Sequence, residues 1–216
     1  MKRFFSNPMA LLLIFLMAYQ AVAGGRYDNL TDWFIRTLNI LPGVIIGICF
    51  HEFAHAWMAY KCGDPTPKQQ NRITINPASH IDPIGFIALI FVGFGWGRPV
   101  MIDPGNFRRP RRDELLVALA GVTVNLILAF MFMALVRLLY EFAPGFMLSD
   151  MGDILRNILI SVVTINIVLL VFNLLPIPPL DGFNVVTQLF NLRNTEFYYR
   201  VYDKGFLILM VLILFN

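Results

Sequence analysis

The chain has 216 residues, 57% of them hydrophobic and only 14% charged, with a formal net charge of +3. A water-soluble domain of this size carries roughly a quarter charged residues, so the composition excludes one and points to a membrane protein. The basic residues sit in short loops beside apolar runs, which fits the positive-inside asymmetry of membrane topology and implies no nucleic-acid partner.

No linker, repeat or low-complexity tract divides the chain, so a single membrane-embedded domain is expected over 1–216. Within it, 1–37 reads as an N-terminal helix and loop, 38–190 as the core and 191–216 as a C-terminal helix. Cys49 and Cys62 lie at separate points of one apolar helix candidate. Neither a disulfide framework nor a CxxC metal pair is visible, and both read as packing residues.

The first apolar segment, "PMALLLIFLMAYQAVAGG" (8–25), follows Lys2 and Arg3. A basic start and "AVAG" also resemble a signal peptide, but a chain that is itself membranous needs no export signal, and an uncleaved helix is the preferred reading. "LNILPGVIIGICFHEFAHAWMAY" (38–60) is the second segment. "PIGFIALIFVGFGWG" (83–97) is short, Gly-rich and bracketed by prolines, and is expected to form a short re-entrant β-hairpin or loop. The segments at 114–140 and 154–180 are each long enough to cross about 30 Å of hydrocarbon. The last, 205–216, is half a span unless "EFYYRVYDK" extends it backward. The expected fold is an all-α polytopic bundle of about five to six transmembrane helices.

Charge orients the bundle. With Lys2 and Arg3 inside, the second segment returns Lys61, Lys68 and Arg72 to the cytoplasmic side, and the loop carrying Arg98, Arg108, Arg109, Arg111 and Arg112 stays there. The loop "EFAPGFMLSDMGD", acidic and free of Lys and Arg, falls outside.

The chemistry sits in "HEFAH" at 51–55. On a helix, His51 and His55 share a face and can offer ring nitrogens to one ion, while Glu52 stands beside that face without being a ligand. A metal such as zinc lowers the pKa of a bound water from about 15.7 to about 7, and a carboxylate base can then deliver that water to a carbonyl carbon. Ionisable groups at membrane depth cost roughly 2.5–3.5 kcal/mol each, which argues against idle placement. A third ligand is needed, either His80 or a carboxylate. The prolines at 176, 178 and 179 break the fifth segment just before Asp181, at the level of the two histidines, and make Asp181 the better candidate.

Taken together, "HEFAH", "NPASHIDPIG", "FGWGRPV", "FRRPRRDELLVALAG" and "NLLPIPPLDG" resemble the site-2 protease family of intramembrane zinc metalloproteases, over about residues 47–190. The resemblance implies one Zn2+ per chain held by His51, His55 and Asp181, with Glu52 as general base. It implies a substrate role for Asn173, and an edge strand offered to the substrate backbone by the loop containing Gly93 and Gly95. Relatives commonly read A-G-P-x-x-N after the basic loop; here it is "AGVTVN", with Val122 in the proline position and Asn125 retained. Asn125 is a candidate for gripping an unwound substrate or for packing between helices, and His80 for an accessory ligand or a backbone cap.

The function expected is therefore hydrolysis of a peptide bond in or near a transmembrane segment of a membrane protein or peptide. It would take place in a lipid bilayer, in a prokaryotic inner membrane, with the site toward the cytoplasm. A membrane metal transporter or an inactive scaffold that binds membrane proteins are the alternatives. Substrate identity, regulation and oligomeric state are not legible.

Overall fold

The computed structural model describes residues 30–93, 95–193 and 195–214. The first apolar segment, 8–25, lies outside them. The described residues are mostly helical and contain no strand. Six helices carry the architecture: α1 Leu30–Cys62, α2 Pro83–Val92, α3 Pro110–Phe142, α4 Asp150–Asn173, α5 Asp181–Leu189 and α6 Glu196–Leu214. Single helical turns occur at Thr66–Gln69, Pro77–His80 and Pro144–Met147. Among the described residues, three helices are long and apolar enough to cross a membrane, over Trp33–Cys62, Pro110–Phe142 and Asp150–Asn173. With this composition they make the chain a membrane protein.

The chain divides into two compact units. Among the described residues, the smaller contains Leu30–Leu38 and the stretch 81–98, and the larger contains Asn39–His80 and the stretch from Pro99 to Leu214.

In the smaller unit, Pro83–Val92 of the segment expected to be a short re-entrant β-hairpin or loop is a helix. Asp82 caps α2 by accepting from the amides of Ile84 and Gly85, and Pro83 occupies the first turn, where its missing N–H costs nothing. Gly93 ends the helix in the left-handed conformation, at φ 81°, which a side chain would strain. Among the described residues, antiparallel pairing consists of one bridge, between Ile81 and Gly97. Gly93, Gly95 and Gly97 follow a ten-residue, mostly apolar stretch whose start and stop signals are those of a helix.

In the larger unit, α3 opens with Pro110 in its first turn, and the Asp113 carboxylate reaches back to the Arg109 amide at 2.8 Å. At 33 residues α3 is about 50 Å long, more than the hydrocarbon needs, so its charged first turn has room to stand in the interface. Ser149 caps α4 by accepting from the Gly152 amide, and Asp150 and Asp153 complement the dipole of its first turn. α3 and α4 pack along each other, and α5 packs on α3. α4 stops at Asn173, and the turn Leu174–Leu180, which holds Pro176, Pro178 and Pro179, redirects the chain so that α5 begins at Asp181. The final helix begins at Glu196, so "EFYYRVYDK" does extend it backward; Tyr198 stacks on Phe183 of α5 with ring centroids 5.4 Å apart.

A second set of contacts ties the end of α1 to the loop that precedes α3. Asp64, 0% exposed, accepts from the Thr66 amide, the Asp103 amide and the Asn106 side chain. The Arg108 amide donates to the Cys62 carbonyl, while Cys62, Ala59, Phe107 and Val117 form a buried apolar cluster beside it. Both cysteines are buried and unbridged, as packing residues are.

Candidate metal centre

His51, Glu52 and His55 lie on the C-terminal half of α1, with His51 about 16 Å along the helix from its end at Cys62. Asp181 arrives from the opposite direction, at the first position of α5, where the helix dipole favours a carboxylate. The fold brings three atoms together: His51 Nε2 and His55 Nε2 are 3.0 Å apart, and Asp181 Oδ2 is 3.2 Å from each. Both histidines are buried.

What the other ring nitrogens do decides what this triangle is. His51 Nδ1 lies 2.7 Å from Asn125 Oδ1 and His55 Nδ1 lies 2.8 Å from the Val117 carbonyl. An oxygen partner at Nδ1 places a proton there, so in the neutral rings both Nε2 atoms face Asp181 as lone pairs. Asp181 Oδ2 is itself a buried oxygen with no hydrogen-bond donor. Three converging acceptors suit a cation between them. The group can hold a metal ion, and its spacing suits zinc, because ligand atoms 2.0–2.1 Å from a tetrahedral ion lie about 3.3 Å apart.

α3 backs this triangle at Gly121. A Cβ there would come within 2.5 Å of His55 Nε2 and 2.6 Å of His51 Cε1, so only a glycine lets the helix backbone lie against both rings. In front of the triangle is a cavity of about 280 Å³ lined by His51, Glu52, His55, Asp181, Asn173 and Val100, among others. Glu52 is held on this wall by the Val100 amide, which donates to Glu52 Oε2 at 2.9 Å.

A model of the family described as peptidase family M50 matches residues 146–215. "Putative zinc metalloprotease YwhC" of Bacillus subtilis (strain 168) is 40% identical over 156 residues, covering 70% of this chain and 71% of its own length. The chain belongs to peptidase family M50, the site-2 protease family. Rip2 of Mycolicibacterium smegmatis (strain ATCC 700084 / mc(2)155), named with the same description, is 28% identical over 222 residues, 96% of this chain and 80% of its own. Rip2 of Mycobacterium tuberculosis (strain H37Rv) is 31% identical over 150 residues, 67% of this chain and 54% of its own. No solved structure matches the chain.

Within this M50 chain the remaining candidate residues occupy different surroundings. Asn173 lines the cavity, with its side-chain nitrogen donating to the Leu169 carbonyl at 2.9 Å. Asn125 is 0% exposed and is placed against His51 rather than on the cavity wall. His80 is also 0% exposed; its Nε2 lies 2.6 Å from the Thr74 carbonyl, the geometry of a backbone cap, and burial holds its pKa below that of a free imidazole. It is not one of the three converging groups. Gly93 and Gly95 fall in the smaller unit.

Three contributors to the centre were given no role by the sequence: Gly121 and Val100, which lie within the quoted stretches "AGVTVN" and "FGWGRPV", and Asn166, which hydrogen-bonds Asn125 at 2.8 Å. For Asn166 a signal was available, since an amide in an apolar helix demands a partner.

Proposed function

We propose that this M50 protein is an intramembrane zinc metalloprotease that hydrolyses a peptide bond in or near a transmembrane segment of a membrane-protein substrate. The observation that carries the reading is the placement of a carboxylate, Glu52, on one cavity wall with His51, His55 and Asp181, part-way along a helix long and apolar enough to span a bilayer. The names of the relatives supply zinc as the metal, and the ligand set suits it.

Zinc held by His51, His55 and Asp181 would supply Lewis acidity, polarising a carbonyl and making a water acidic near neutral pH. Glu52 is the general base. Val100 fixes one of its oxygens, which leaves the other to take a proton from water and pass it to the departing amine. Asn173 keeps one amide hydrogen beyond its bond to Leu169 and is assigned to the substrate carbonyl or backbone. The charge pattern of the loops favours a cavity open to the cytoplasmic side of a prokaryotic inner membrane, from which water can enter.

A peptide bond in a transmembrane helix is shielded by its own hydrogen bonds, so a substrate must unwind before Glu52 can act on it. A helix-destabilised substrate segment is expected to cut faster than a poly-Leu one. The deciding experiment reconstitutes the purified chain with a model transmembrane substrate. Cleavage that needs metal and disappears in Glu52→Gln, with zinc retained, supports the protease. Metal flux across the vesicle that survives Glu52→Gln, without cleavage, would support a transporter instead.

A further inference from the structure

Val162, Asn166, Asn125 and His51 form a line of hydrogen bonds whose direction is fixed at its far end. The Val162 carbonyl can only accept, so the atom of Asn166 that faces it at 2.8 Å is the amide nitrogen. This turns Asn166 Oδ1 toward Asn125, whose Nδ2 donates to it at 2.8 Å and, less closely, to the Gly47 carbonyl at 3.3 Å. Asn125 Oδ1 is thereby presented to His51 Nδ1 at 2.7 Å. An amide oxygen accepts and does not donate, so in the neutral ring the proton lies on Nδ1 and the lone pair on Nε2, the atom that faces His55 and Asp181. Asn125 and Asn166 are both 0% exposed, so no solvent enters the relay.

We propose that Asn166 is a positioning residue for the metal centre, acting through Asn125 to hold His51 in the tautomer that leaves Nε2 as a ligand. The inference rests on the metal-centre reading above. Asn166 hydrogen-bonds Val162 and Asn125, not His51, and its effect is exerted one residue removed. Without it, Asn125 keeps the single longer bond to Gly47 and its amide loses the contact that holds its orientation. A reversed amide would present N–H to His51, move the ring proton to Nε2 and take the lone pair out of the triangle. A role limited to joining α3 and α4 would leave that lone pair untouched.

The test is zinc affinity of the full-length, detergent-purified chain, by competition with a chromophoric chelator, alongside the melting temperature of the metal-free protein. Asn166→Leu keeps the volume and removes the amide, and is expected to weaken zinc binding by about tenfold or more, the range of partners that orient metal-bound histidines. Asn166→Ala carries the same expectation should the leucine variant not fold. Asn166→Asp, whose protonated form offers one acceptor and one donor as the amide does, restores affinity close to wild type. Asn125→Leu is at least as damaging as Asn166→Leu, and the double variant is no worse than Asn125→Leu alone, because the two act in series.

Unchanged zinc affinity in Asn166→Leu with only a lower melting temperature would overturn the proposal, as would fully additive losses in the double variant. His55→Ala separates this outcome from failure of the metal-centre reading. If His55→Ala abolishes zinc binding while Asn166→Leu does not change it, the centre stands and the relay falls. If His55→Ala binds zinc as wild type does, the centre itself is misassigned.

Discussion

The Val100 amide donates to Glu52 Oε2 at 2.9 Å, so the carboxylate beside the two histidines is tethered by backbone rather than by another side chain. Val100 belongs to the loop that Asp64 ties to the end of α1 through Asp103 and Asn106. The base is thus aligned by a loop whose own position is set 12 residues further along α1 and beyond it, at Asp64.

Val100→Pro deletes the donor and frees Glu52 to rotate. A misplacement of about 1 Å can cost up to about a hundredfold in rate. Turnover of a transmembrane substrate is expected to fall about tenfold to a hundredfold with one zinc per chain retained, since Glu52 is not a ligand. Zinc lost in parallel with activity would contradict this separation of base from metal.

Gly121→Ala inserts a methyl group at 2.5 Å from His55 Nε2 and 2.6 Å from His51 Cε1. Either α3 retreats or the rings rotate out of the triangle. Overpacking of this kind costs about 1–3 kcal/mol, and here it falls on the ligands, so zinc affinity and thermal stability should both drop. Val122→Ala, one residue on, is also buried but removes volume, and is expected to lower stability while sparing zinc affinity. Chelator competition with the two variants side by side distinguishes the two positions.

Asp64 gives a pH dependence with a definite sign. Burial alone would raise its pKa, but bonds from Thr66, Asp103 and Asn106 outweigh burial and hold the carboxyl below its ordinary value. Its folded-state pKa is depressed, so its contribution is fully present above the unfolded carboxylate value of about 3.9 and is lost as pH falls through the folded value. Asp64→Asn places an amide where the Asp103 and Asn106 N–H groups point, and should cost about 1–3 kcal/mol near neutrality. The gap in melting temperature between wild type and Asp64→Asn should narrow in acid; a gap that is constant down to about pH 3 would show that the charged form is not what matters.

Much of this was legible in the residues. The histidine pair follows from local helical spacing, and Asp181 from three prolines that force a turn before it, so topology alone could bring them to one level. The expected β-hairpin or loop at 83–97 is helical over Pro83–Val92, because the capping Asp82 and the first-turn Pro83 mark a helix start that the glycines at 93, 95 and 97 obscure in the sequence. Asn125 was identified as polar and important, but its partners were not, because hydrogen bonds between α1, α3 and α4 depend on helix rotation, which no spacing within one helix records. Asn166 stands alone in "SVVTINIVLL", and Gly121 is one small residue among "ALAGV"; their roles arise only when a neighbouring helix arrives.

The most direct measurement is the zinc content of the detergent-purified chain by elemental analysis, wild type beside His55→Ala and Asp181→Ala. One zinc per wild-type chain, depleted in both variants, is the predicted result, because a catalytic zinc needs ligands from both α1 and α5. Zinc retained at full occupancy in Asp181→Ala, or absent from well-folded wild type, would contradict a metal centre built from His51, His55 and Asp181.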